Sequence, residues 1–258
     1  MIDLHTHVLC GIDDGPADLV GSLAMAEIAV EEGVETLVAT PHVRADHPLV
    51  VPSEVPGRAA ELQAAFTRYD LPVEVVPGGE VALGEALELP DDDLRAVTLG
   101  ANGTMLLVET PHGRLPSLFE ELVDAVADRG YVVVLAHPEL NPQLQDDPER
   151  LRTLVARGAL VQLTARSLRE PRRSRARALA ARALEEGWAH AIASDAHAAE
   201  WRSPRLASQL EDARRAHPAL ADVLWWAATE APAAILHGDR PGAPPPRAAG
   251  ARRRLRRR

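Results

Sequence analysis

Seven short apolar runs separated by amphipathic stretches constrain this chain more than any other feature of its sequence. The runs are residues 2–4, 36–39, 73–76, 105–108, 132–136, 160–163 and 190–193. Most are rich in Val, Leu or Ile without alternation, the pattern of strands buried on both faces. Between them, residues 18–32, 53–69, 116–128, 148–157 and 174–186 read as helices, the first with Leu19, Leu23, Ala26 and Val30 on one stripe. Gly33, Gly130, Gly158 and Gly187 follow such stretches and are expected as caps. Strand–helix repetition implies a parallel sheet. Seven units with no internal linker favour a closed or nearly closed barrel, with a doubly wound open sheet as the alternative.

The polar residues fall at the ends of these strands. The first ends at His5-Thr6-His7, with Asp13-Asp14 in the following loop. Others end at His42, Glu80, Glu109, His137 and Asp195-Ala196-His197. Only the sixth, at Gln162-Leu163-Thr164, lacks an ionisable group. A parallel barrel brings all these ends to one face, where active sites form. So many carboxylates and imidazoles in one cavity would perturb one another's ionisation unless cations compensate. The joint pattern therefore predicts a divalent-metal site. Mixed imidazole and carboxylate ligands suit Mn, Fe or Zn better than Ca or Mg. Taken singly, His112, His190, His217 and His237 read as structural or solvated, and Asp13 as a helix N-cap beside a ligating Asp14.

Composition sets further bounds. The chain of 258 residues carries a net charge of −10, which argues against nucleic acid as the main partner. No apolar run reaches the ~20 residues of a membrane span, and no signal peptide is expected. Cys10 is the only cysteine, which fits a cytoplasmic location. It reads as a small apolar filler. A cysteine-dependent phosphatase is excluded, because Pro16 stands where that chemistry needs an arginine. Residues 241–258 form a Pro/Arg-rich segment, expected as a disordered tail that could touch an anionic surface or acidic partner.

The motifs Met1-Ile-Asp-Leu-His-Thr-His7, Gly11-Ile-Asp-Asp-Gly15, Ala39-Thr-Pro-His42, Gly78-Gly-Glu80, Leu107-Val-Glu-Thr-Pro111, Ala136-His-Pro-Glu139, Gln162-Leu-Thr164 and Ala193-Ser-Asp-Ala-His197 carry a resemblance. Over about residues 1–237 the chain resembles polymerase-and-histidinol-phosphatase (PHP) domain proteins. Within them it is most similar to the bacterial manganese-dependent protein-tyrosine phosphatases of capsule and exopolysaccharide biosynthesis.

The resemblance implies a distorted (β/α)7 TIM-like barrel of the PHP fold over residues 1–240. It also implies two or three Mn2+ ions, with Fe or Zn as alternatives. His5, His7, Glu80 and Asp195 would hold one ion. Glu80 would bridge to a second, completed by Glu109 and His137. Asp14, His42 and His197 would hold the third. Arg202 would bind substrate phosphate, with His42 or His197 assisting proton transfer.

The implied reaction is phosphomonoester hydrolysis by metal-bound hydroxide. The implied partner is a phosphotyrosyl protein such as a tyrosine-kinase tail, and a homo-oligomer is expected. The alternatives are a small-molecule phosphatase, such as one for histidinol phosphate, and a catalytically silent assembly module. Two positions depart from the family: Leu140 replaces its usual arginine, and residues 165–173 are Arg-rich where it has glycines. Arg166 or Arg169 is the candidate replacement.

Overall fold

The computed structural model describes residues 1–247. Of the expected tail, residues 241–247 take neither helix nor strand, and residues 248–258 lie outside the described residues. Among the described residues nine strands occur: β1 (Ile2–Thr6), β2 (Thr36–Ala39), β3 (His42–Val43), β4 (Glu74–Pro77), β5 (Glu80–Ala82), β6 (Met105–Glu109), β7 (Val132–Ala136), β8 (Leu160–Thr164) and β9 (Ala191–Ala193). Every pairing is parallel. Two of the seven expected strands are each followed, after a break, by a further short strand. Pro41 has no N–H to donate and separates β2 from β3, and Gly78-Gly79 separates β4 from β5.

The strands form one short sheet, β1-β2-β4, and one long sheet, β3-β5-β6-β7-β8-β9. They meet across a seam where Thr6 bridges Ala196. There Asp195 N donates to His5 O at 3.0 Å and His7 N to Ala196 O at 2.8 Å. Thr40 N donates to Thr6 O at 2.8 Å and Glu80 N to Pro41 O at 3.0 Å, carrying the ring across both breaks. The ring is thus closed at the C-terminal strand ends, which removes the open-sheet alternative. At the other end β4 and β6 do not pair, and the turn Leu99–Ala101 fills the gap with the buried Leu99.

Strand periodicity sorts the side chains. Leu106 and Val108 join the large core beneath the outer helices, while Met105 and Leu107 join a small inner core with Leu4, Val134, Ala136, Ala191 and Ala193. The residues that continue this inner face past the apolar layer are Glu109 and Asp195. The small side chains of Ala136 and Ala193 leave room for them.

The helices Leu19–Glu31, Val55–Arg68, Phe119–Asp128, Pro148–Ala156 and Arg175–Glu185 match the five expected. Gly33 ends the first: its N–H reaches Val30 O and the Val34 N–H reaches Ala29 O, which satisfies two terminal carbonyls. The expected apolar stripe is rotated. Ser22, Met25, Ala26 and Ala29 are buried, Leu23 and Val30 only partly, and Leu19 is exposed. Ser22 Oγ donates to Val8 O at 2.7 Å, so a small polar residue takes the inner position. Residues 206–236 add helices that the apolar pattern did not suggest. The segment Pro218–Leu236 is long and apolar enough to cross a membrane. Here it packs under the barrel, where Ile2 N donates to Ala228 O and Ile192 N to Ala227 O.

Asp3 bridges the seam between β1 and β9. It is buried, and Oδ1 accepts from Ser194 N at 2.9 Å and His5 N at 3.5 Å. Asp3→Ala should lower stability by about 1–3 kcal/mol, because it strands a buried amide. Asp3→Asn, which keeps an acceptor, should cost less. Urea unfolding midpoints test this, and an unchanged midpoint for Asp3→Ala would show that the seam does not need the carboxylate.

Candidate metal centre

Strand alternation puts His5 and His7 on one side of β1, and their Nε2 atoms lie 3.3 Å apart. Glu80 is the hub of what gathers around them and has no exposed surface. Its Oε2 lies 3.3 Å from His5 Nε2, 3.5 Å from His7 Nε2 and 3.0 Å from His42 Nδ1. Its Oε1 lies 2.6 Å from His137 Nε2. Asp195 Oδ1 stands 3.6 Å from His5 Nε2 and 3.8 Å from His7 Nε2. On the outer side, Asp14 Oδ1 is 3.2 Å from His197 Nε2 and 3.5 Å from His42 Nε2. The structure therefore brings together all nine residues read as ligands.

The donor atoms of seven of the nine, all but His137 and Asp195, fall into three overlapping groups: His5, His7 and Glu80; His42, Glu80 and Glu109; and His7, Asp14, His42 and His197. Two details differ from expectation. His42 belongs to two groups, joining Glu109 at the middle position. His137 instead approaches Glu80 through the oxygen that faces away from His5 and His7.

Residues outside the nine aim the imidazoles. Gln162 Nε2 donates to Leu163 O at 2.8 Å, which turns Oε1 toward His5 Nδ1 at 2.9 Å. His5 Nδ1 then carries a proton and Nε2 faces the cluster. The sixth strand thus contributes through an amide. Asp13 does the same for His7, with Oδ2 2.8 Å from His7 Nδ1. It also accepts from His42 N at 3.1 Å and Gly15 N at 3.0 Å. It is no helix N-cap, because Asp18 caps the first helix. Carboxylate–imidazole pairs of this kind fix the ring and its tautomer at metal sites. Gly15 must lack a side chain, because a Cβ there would sit 2.2 Å from His7 O. Three residues of the site, His137, Asp195 and Arg202, have positive φ (36°, 55° and 46°). Strained backbone of this kind is held only where the surroundings enforce it.

Burial opposes charge on His7, but hydrogen bonds to Asp13 and Glu80 outweigh it and raise its imidazolium to about 10. Burial also opposes charge on His137, and the Glu80 carboxylate overcomes it, raising the group to about 9. Burial alone would push Glu80 up, yet His5 and His137 hold it well below the usual carboxylate range. Asp195 is held at about 2 against burial by His5, His137 and Arg202. Glu109 goes the other way: burial and the neighbouring Glu80 charge raise it despite Arg44.

Glu80 Oε2, Asp195 Oδ1, His42 Nδ1 and His197 Nε2 are buried and make no directed hydrogen bond. Such atoms are uncommon in folded proteins. Divalent cations shared across the cluster would satisfy these atoms, and their imidazole and carboxylate chemistry fits such ions.

Two guanidiniums flank the cluster. Arg202 Nη2 reaches Asp195 Oδ2 at 2.5 Å, and its carbonyl accepts from His197 N at 2.8 Å. Arg44 Nη1 lies 2.9 and 3.1 Å from the two oxygens of Glu109. Arg44 was not singled out in the sequence, although its place two residues after His42 marks it in hindsight. Arg166 is exposed, whereas Arg169 pairs with Asp212 at 2.8 Å. His112 stacks on His137 with ring centroids 5.0 Å apart. His190 is half-buried, and its Nδ1 accepts from Val161 N. Cys10 is half-buried in the loop after β1.

The family model for capsular polysaccharide synthesis, CpsB/CapC, matches residues 1–223. Tyrosine-protein phosphatase YwqE of Bacillus subtilis is 34% identical over 204 residues, which cover 79% of this chain and 80% of that protein. A structure from the crystallographic work on YwqE of Bacillus subtilis and CpsB of Streptococcus pneumoniae, described as metal-dependent tyrosine phosphatases, superposes with a TM-score of 0.82. It is 30% identical and covers 97% of this chain and 100% of its own. A β-aspartyl dipeptidase from Fervidobacterium islandicum shares the fold, with a TM-score of 0.59 at 15% identity over 91% of this chain and 72% of its own.

Since His7 and His137 hold protons at pH 7 before a cation displaces them, loading with a divalent ion should release at least one proton per chain. Titration calorimetry in two buffers of different ionisation enthalpy measures this, and zero release would contradict the geometry. Asp13→Asn should weaken metal affinity about 10–100-fold without altering the circular dichroism spectrum.

Proposed function

The chain belongs to the CpsB/CapC family of capsular polysaccharide synthesis, and on that premise we propose that it is a metal-dependent phosphatase of tyrosine-phosphorylated protein. The observation that carries the reading is three overlapping ligand groups, two of which share Glu80, set between two arginines. His5, His7, Glu80 and Asp195 would hold one cation. Glu80, Glu109 and His42, with His137, would hold a second, and Asp14, His42, His197 and His7 a third. When bound, the cations would polarise the phosphoryl oxygens and lower the pKa of water from ~15.7 toward ~7.

The chain's own residues do the rest. Arg202, only partly exposed beside Asp195, offers N–H donors to the equatorial phosphate oxygens, where charge accumulates. Asp13 and Gln162 keep Nδ1 of His7 and His5 engaged, so that each ring presents Nε2. A tyrosine phenolate, with a pKa of about 10, leaves with little protonation, so proton transfer from His42 or His197 is a small part of the barrier.

Manganese suits the mixed nitrogen and oxygen donors, and three groups favour three ions over two. The partner in this reading is the phosphotyrosyl tail of a capsule-pathway kinase, met in the cytoplasm. The small-molecule alternative has less support, because the relatives named above are protein phosphatases.

Metal-loaded protein should turn over a phosphotyrosyl peptide with a higher kcat/KM than histidinol phosphate. The reverse order would favour the small-molecule reading. Arg202→Ala should lower kcat about 10²–10³-fold at near-normal metal content. Metal loss in that variant would make Arg202 part of the scaffold instead.

A further inference from the structure

A cleft of about 470 Å3 opens beside the cluster, between the residues that follow β5 and the loop after β6. It falls within the ~300–1,000 Å3 range of small-molecule pockets. Its inner wall is Glu109, a member of the cluster, with Arg44 beside it. Its other walls are apolar: Leu83, Pro111 and Pro116. His112 stands at the rim, stacked on His137. Anion-binding chemistry thus lies at one end of the cleft and ring-sized apolar surface at the other.

We propose that this cleft is the subsite for the aryl group of a phosphate monoester, with Arg44 as the guanidinium that binds the phosphate on the cleft side. The proposal rests on the phosphatase reading and adds which wall selects the substrate. Arg44 suits the part. Its side chain is 34% exposed, and one guanidinium nitrogen reaches Glu109 while the other two reach Asp46. Glu109 and Asp46 hold it in place, and a phosphate would take the planar fork, its usual partner, by displacing the exposed Asp46 carboxylate. An ester whose phosphate lies between Arg44 and Arg202 has the cleft as an outlet for its leaving group. A phenyl ring would pack there on Leu83 and the two prolines, whereas a methyl group would leave those walls wet. The site therefore distinguishes aryl from small alkyl phosphates by apolar burial.

Gly84 provides the test. It lies exposed at the start of the helix Leu83–Glu88 and lines the cleft, and a Cβ there meets nothing within 4 Å. Gly84→Trp can therefore obstruct the cleft without a clash at its Cβ. Gly57→Trp, at a similarly open exposed position in the helix Val55–Arg68, is the control.

Phenylphosphonate and methylphosphonate are titrated calorimetrically into the metal-loaded full chain. The wild type and Gly57→Trp should prefer the phenyl compound about tenfold or more. Gly84→Trp should abolish the preference while methylphosphonate still binds. Arg44→Met should weaken both compounds about tenfold at unchanged metal content, and Arg44→Lys should recover only part of the loss.

Equal affinities in the wild type, or an intact preference in Gly84→Trp, would overturn the subsite. Undiminished binding by Arg44→Met would overturn the role of Arg44. Phenyl phosphate turnover by the same wild-type preparation separates the two levels. Turnover with equal phosphonate affinities removes only the subsite, whereas no turnover removes the phosphatase reading.

Discussion

Glu80 is a carboxylate with no exposed surface, and four imidazoles close on it within 3.5 Å. Removing such a charge from water costs several kcal/mol, recovered only by well-placed opposite charge. Without a metal, protonated His7 and His137 supply part of it. With a divalent cation bound, the same rings would supply lone pairs in place of protons. Without metal the arrangement is a cage of opposed charges around one carboxylate. The rest of the structure can be understood as the means of holding that cage in register.

The barrel meets this demand through alternation. On β6 and β9 the inward position that is apolar at mid-strand gives way to a carboxylate at the C-terminal end, as Leu107 to Glu109 and Ala193 to Asp195. Ring closure at that end, from Thr6 to Ala196 and from Thr40 to Thr6, fixes the distances between strand ends. Where regular geometry would aim a side chain wrongly, the backbone departs from it, at His137, Asp195 and Arg202. Closure is incomplete at the opposite end, where Leu99 substitutes for a β4–β6 pairing and the site places no demand.

Much of this was legible beforehand for a physical reason. Buried parallel strands must be apolar, so their positions emerged to within a residue or two. A cluster of ionisable groups at one barrel face needs a cation whatever the details. Other features depend on who meets whom across the sheet. Gln162 looked inert because it carries no charge, yet its amide sets the tautomer of His5. Asp13 looked like a cap, because only the folded loop shows His7 and the His42 amide beside it. The first helix buries Ser22 and alanines, residues too small to mark a stripe by hydrophobicity. The break at Pro41 was visible in principle, but a short apolar run does not tell whether its strand resumes at His42.

The central claim is that this cage is built for divalent cations and that Glu80 is shared by two of its three ligand groups. Native mass spectrometry of the full chain, stripped with chelator and then titrated with Mn2+, measures it directly. The account predicts uptake of two to three ions per wild-type chain, and loss of at least two in Glu80→Ala while the chain remains folded. Wild-type protein that binds less than one ion, or a Glu80→Ala chain that binds as many as the wild type, would contradict it.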